Sequence, residues 1–173
     1  MRRMTPLGAV GRGLVAGALG TGAMTAAQLL RSRLHEQAQD GGEGADDGSA
    51  QAPGDPWEEA PAPAKVARRV LEGVFGRQVP AERIGLLTNA MHWGYGTAWG
   101  AVYGLLRGSG VVHGARGGLA FGAAVWGMSY VELVPMGLYE PPWEYPPGQL
   151  APEAGYHLAY GLGTAAGFSM LSR

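Results

Sequence analysis

Four ionisable side chains interrupt otherwise apolar stretches of this chain: His92, Glu132, Glu153 and His157. An imidazole titrates near neutral pH and a carboxylate can trade protons with it, so a convergent set of these four would form a proton relay. The same mixture of imidazole and carboxylate would also suit a divalent cation. Glu153 and His157 are four apart, which puts them on one face of a helix. At 100° per residue, His92 falls within about 40° of Gly96 and Glu132 within about 40° of Gly118, both directions that point into a bundle. The plainer reading makes each a hydrogen-bonded structural group, and it is the one preferred. Two histidines on separate segments, with no H-x-x-H or E-x-x-H repeat, are a weak metal signal. The sequence also has no nucleophile elbow, P-loop, dinucleotide fingerprint or zincin motif. No catalytic residue, metal or cofactor is therefore assigned, and an enzyme with an acid/base or metal site stays the last of three functional readings.

The elements that must position these groups are long, nearly uncharged and rich in glycine, of which the chain has 31. Each carries small residues four apart: Gly13 and Gly17; Gly96, Gly100 and Gly104; Gly118 and Gly122; Gly163 and Gly167. In water such glycines weaken a helix by roughly 1 kcal/mol each relative to alanine. In lipid they let backbones approach closely, which matters where hiding leucine from equally apolar tails gains nothing. Apolar stretches at residues 13–30, 84–106, 117–133 and 154–171 each approach the ~20 residues that cross a bilayer core. The expected fold is all-α and polytopic, with four transmembrane helices in a glycine-rich bundle. A secretory signal peptide is the competing reading of the first stretch, because Arg2 and Arg3 precede it. Its length, the lack of a convincing cleavage site and the closing Arg31 favour a span.

Between these segments the composition changes sharply. Residues 1–34 hold the first span and its flank, and residues 35–63 read as a disordered acidic, Pro- and Gly-rich linker, with Asp40, Glu43, Asp46 and Asp47 and no bulky apolar group before Trp57. Within residues 64–83, Val66, Val70, Leu71, Val74 and Phe75 recur at helical spacing while Lys65, Arg68, Arg69 and Glu72 take other faces. That pattern describes an amphipathic helix, either lying at a lipid surface or capping the bundle from water. Residues 84–173 form a three-helix transmembrane region containing a Pro/Trp loop at 135–152. Its prolines forbid a continuous helix, and its aromatic rings suit headgroup level. Glu140, Trp143 and Glu144 make it either a lid that carries acids inward or a rigid connector, and the connector is preferred.

Charge and composition limit the partners. Thirteen basic residues against 14 acidic ones leave no electrostatic case for nucleic acid. The absence of cysteine excludes disulfides and thiolate chemistry. The expected partners are the lipid bilayer and either a second copy or another membrane protein. Arg2, Arg3, Arg12, Arg107, Arg116 and Arg173 fall on the side of both termini, which suggests that both are cytoplasmic.

One stretch is distinctive enough to compare. The third span, followed by Pro135-Met136-Gly137-Leu138, Pro141-Pro142-Trp143 and Glu153 four residues before His157-Leu158, resembles the corresponding region of the YagU family of bacterial inner-membrane proteins. The second span, with Trp93, is similar more weakly, and the likeness covers residues 85–161. The resemblance implies location in the bacterial inner membrane. It brings no settled activity, so the leading reading is a structural or regulatory protein acting through helix packing. A proton-linked transporter or channel using His92, Glu132 and His157 is the alternative.

Overall fold

In the computed structural model, residues 4–40 and 54–173 are described, and among them every regular element is helical. The order is α1 (Pro6–Asp40), α2 (Ala62–Phe75), a 3-10 turn (Ala81–Arg83), α3 (Ile84–Gly108), α4 (Gly114–Leu133), a second 3-10 turn (Pro142–Glu144) and α5 (Pro147–Leu171). The chain divides into two compact units, one of Met1–Ala27 with His92–Arg173 and one of Gln28–Met91.

The first unit is an up-and-down bundle whose helices meet through glycine. On α1 the buried positions are Ala9, Gly13, Ala16, Gly17, Gly20, Thr21 and Met24, one stripe at the three-to-four spacing of a helix face. A Cβ on Gly17 would lie 2.6 Å from the Gly96 carbonyl oxygen and 2.7 Å from the Gly100 Cα, and one on Gly104 would strike the Ala9 carbonyl. Low numbers on α1 thus face high numbers on α3, so the two helices run antiparallel with their backbones in direct contact. Helices α4 and α5 repeat the device: a Cβ on Gly118 would lie 2.7 Å from the Gly161 oxygen, and one on Gly122 would collide with the His157 carbonyl. The other edge of α5 meets α1, where Gly163 sits against Ala23 and Gly20, and Gly167 against Leu19 and Ala16.

Between these seams lies a small aromatic core. Tyr103 and Phe121 stack edge to face with centroids 5.0 Å apart, and Tyr103 and Phe168 at 5.9 Å. Buried Thr21 and Thr164 return their hydroxyls to the carbonyls of Gly17 and Tyr160, both at 2.9 Å, so neither leaves a donor unpaired. The α3–α4 connection is short because Gly110, at φ 78°, reverses the chain and lets the Val111 amide reach back to the Leu106 carbonyl. At the same end of the bundle, Arg12 Nε donates to the Leu171 carbonyl at 2.9 Å, tying the start of α1 to the finish of α5.

The second unit is built differently. Trp57, Ala60, Ala64 and Val79 form its buried cluster, with Leu71, Ile84 and Leu87 packed around them. Arg68 lies 4.7 Å above the Trp57 ring and donates through Nε to Glu72 at 3.0 Å. The Glu72 carboxylate also accepts the Val79 amide, and those bonds to Arg68 and Val79 hold its pKa below the ordinary value. Gly76, in the left-handed conformation at φ 60°, ends α2.

Several boundaries differ from the sequence expectation. Helix α1 runs on past Arg31 to Asp40, because Leu34, Glu36, Gln37 and Ala38 are good helix formers that a polarity count reads as linker. Residues 54–63 do not continue a featureless linker: the Asp55 side chain accepts the Trp57 amide at 3.0 Å and turns the ring back onto α2. Residues 41–53, which include Glu43, Asp46 and Asp47, lie outside the described residues. The amphipathic helix is shorter than residues 64–83, stopping at Phe75. Helix α5 starts at Pro147, before the expected position 154, with Pro152 inside it. Proline is well suited to the first helical position, and Pro152 removes only the single bond to the Gly148 carbonyl near that frayed end.

Candidate functional site

The singled-out polar residues all occur toward one end of the bundle, where α4 finishes and α5 begins. They do not form one four-membered set. They divide into two tyrosine–carboxylate pairs and two separately held imidazoles.

The first pair spans α3 and α4. Tyr95 Oη donates to Glu132 at 2.7 Å, and Glu132, one residue from the end of α4, is exposed on the bundle surface. The inward direction expected for Glu132 is thus corrected: it is a terminal carboxylate held by a phenol. Its exposure leaves the charge in contact with solvent, where hydration is cheapest. The second pair joins α4 to α5, with Tyr130 Oη donating to Glu153 at 3.1 Å. Tyr139 and Tyr145 surround Tyr130 with centroids 5.5 and 6.2 Å away. Burial, with the Glu153 charge adding to it, raises the Tyr139 hydroxyl above its usual pKa and keeps it a neutral donor.

The histidines are fixed by short local bonds. His157 Nδ1 lies 2.8 Å from the Glu153 carbonyl one turn earlier. A carbonyl can only accept, so the proton is on Nδ1 and the Nε2 lone pair faces away. His92 Nε2 is 3.4 Å from Thr25 Oγ1, whose own proton goes to the Thr21 carbonyl at 2.9 Å. Thr25 therefore offers the ring a lone pair. Among the described residues no three His, Asp or Glu side chains gather closely enough to hold a metal ion, so the mixed ligand set considered for His92, Glu132, Glu153 and His157 is not assembled.

The connector between α4 and α5 is stiffened rather than poised inward. Gly137, at φ 64°, closes the end of α4, with the Leu138 amide donating to the Leu133 carbonyl. The Tyr145 hydroxyl accepts the Glu140 amide at 3.0 Å. Glu140 and Glu144 are both exposed, and Trp143 is 80% exposed. The lid reading, in which the two acids turn toward the interior, is not what these residues do.

Tyr95, Tyr130 and Thr25 were not singled out from sequence. Tyrosine in an apolar helix reads as an interface ring, and only the antiparallel α3–α4 register, set by the Gly108 to Gly114 turn, reveals that Tyr95 meets Glu132. Another group at this level, the Trp126 indole Nε1, is buried without a hydrogen-bond partner among the described residues. No family model, curated protein or solved structure matches the chain.

Proposed function

We propose that this chain is an integral protein of the bacterial inner membrane in which α1, α3, α4 and α5 all cross the bilayer, and that its role is structural or regulatory. One observation carries the reading: outside a small aromatic core, the helix seams are filled by small residues while aliphatic side chains face outward. Glycine and alanine fill the bundle's seams, while Leu14, Val15, Val102, Leu105, Leu119 and Leu162 face outward, Val15 at 51% exposure. Water would penalise that arrangement at roughly 25 cal/mol for every Å² of apolar surface left exposed, and a hydrocarbon solvent does not. By length and composition, one helix among the described residues, Pro6–Ala38, is long and apolar enough to span on its own. The other three are diluted by glycine and aromatic residues, and the shared seams argue that they travel with it. The resemblance to the YagU family supports the inner-membrane location. Arg12, Arg107, Arg116 and Arg173 at the end that holds both termini support a cytoplasmic placement of that end.

Because each small-residue stripe is filled by another helix of the same chain, the stripes argue for a self-sufficient bundle, and lateral partners would meet the Leu and Val faces instead. The test is extraction: the protein is expected to stay with the membrane through an alkaline carbonate wash and to dissolve only with detergent. Release as a folded, unaggregated species by carbonate alone would defeat the reading.

A proton-linked role is the second reading, favoured by two imidazoles and two tyrosine–carboxylate pairs at one end of the bundle. It requires movement, because Tyr103, Phe121 and Phe168 close the core beyond that tier. Proteoliposomes carrying the combined His92→Ala, Glu132→Gln and His157→Ala changes should lose proton flux relative to the unaltered chain. Equal flux would eliminate this role.

A further inference from the structure

Helix α2 has an apolar arc twice as wide as the surface its own unit covers. Around the helix, Ala64, Ala67 and Leu71 fall together; Ala64 and Leu71 pack in the cluster of Trp57 and Val79, and Ala67 is buried. Val66, Val70 and Val74, spaced by four residues and therefore stacked on one strip, continue that arc beyond the covered part. Val70 is 47% exposed and Val74 72%, and Phe75 at the last position is 64% exposed. On the opposite side of the helix run Lys65, Arg68, Glu72 and Arg69, of which Arg68 and Glu72 satisfy each other at 3.0 Å. The acids of the preceding turn, Asp55, Glu58 and Glu59, belong to the Trp57 segment that packs on the covered side.

Two further observations say what meets the open strip. Ile84 and Leu87, in the first turn of α3, pack on the same cluster as Ala64 and Val79, so α2 is fastened to the point where α3 begins. Only residues 76–83 separate the helices, and eight extended residues reach at most about 28 Å. If α3 crosses the bilayer from Ile84, as the proposed function holds and on which this inference rests, α2 is held at the membrane surface. Its charges then suit that position, since Arg68, Glu72 and Lys65, the last donating to the Glu58 carbonyl at 2.7 Å, lie away from the valine strip while the valines face the acyl boundary.

We propose that α2 is an interfacial helix that docks on the phospholipid surface of its own membrane, inserting Val66, Val70, Val74 and Phe75 at the headgroup–acyl boundary while Ala64 and Leu71 remain packed in the Trp57 cluster. The occupant of the open strip is lipid.

The natural chain has no cysteine, so single-cysteine variants of the full-length protein take one fluorophore each. In reconstituted vesicles of phosphatidylcholine and phosphatidylglycerol, an NBD label at Val74→Cys is expected to emit to the blue and to lose about half its intensity when the lipids carry a shallow doxyl quencher, as befits a group some 5–10 Å into the interface. The label at Val70→Cys should behave alike, which guards against one variant folding poorly. At Arg69→Cys it should instead emit as in water and respond to aqueous iodide. A label at Val102→Cys, on the outward face of α3, should respond to a deep quencher. Water-like emission at both Val70 and Val74 overturns the proposal, and so does blue emission that ignores lipid quenchers, because protein would then cover the strip. If Val102 also ignores them, the membrane-spanning reading falls with it.

Discussion

The two units of this chain solve the packing problem in opposite ways. In the bundle, backbones touch along the seams and many aliphatic side chains are turned out around a small aromatic core: Gly13, Gly17, Gly100 and Gly104 leave no room for a methyl group between α1 and α3. In the unit around α2, one large ring is turned in: Trp57 is 7% exposed, wedged among Ala60, Ala64 and Val79 beneath an arginine. The second arrangement gains from removing apolar area from water. The first adds dispersion over a long, smooth backbone contact. The difference teaches that composition alone misleads here, because glycine weakens an isolated helix and is also what lets two helix backbones touch.

The comparison can be broken most directly at a glycine. Gly100→Ala places a Cβ against the Gly13 carbonyl and the Gly17 Cα, and relieving it means separating two backbones, so a loss of about 3 kcal/mol or more is expected. Gly127→Ala on α4, where an added Cβ meets nothing within 4 Å, should be neutral or gain up to about 1 kcal/mol from helix propensity. Thermal unfolding of the two variants in the same detergent, followed by circular dichroism, measures both. Similar midpoints would mean that the seams contribute no specificity.

An effect of comparable size, but confined to the other region, is expected from Trp57→Ala. Removing a buried indole costs about 3–5 kcal/mol, enough for α2 amides to lose exchange protection while those of α4 and α5 keep theirs. Concerted loss in all helices would show that the two regions are one cooperative body.

The smallest effect is electrostatic. Glu72 has a folded pKa below its ordinary 4.5, caused first by the Arg68 hydrogen bond and then by the Val79 amide. A depressed carboxylate contributes stability that is present above the unfolded pKa and lost as pH falls through the folded one. The Val79 amide resonance should therefore titrate with a midpoint under 4.5, and Glu72→Gln should abolish that titration. A midpoint at or above 4.5 would show that the pairing does not hold the charge in solution.

Much of the bundle was legible in the residues themselves. The glycine spacings identify the seams because only a missing Cβ permits such approaches, and all nine glycines singled out lie in helices. What escaped was of two kinds. Ends of helices moved because propensity and position outrank polarity and proline counts, as at Asp40 and Pro147. The polar residues were found, but their arrangement was not, since Glu132 and Glu153 take tyrosine partners from neighbouring helices and that choice depends on register across a turn. Trp57 was read as the edge of a linker because the Asp55 turn that folds it back is a single side-chain bond.

Helix α5 meets α4 through Gly161 on one edge and α1 through Gly163 and Gly167 on another, with Arg12 latched to its final turn. Of the four bundle helices it leaves the ribosome last. The earlier three must therefore wait as an unlocked set, and premature termination upstream of residue 147 would release a polypeptide lacking its keystone.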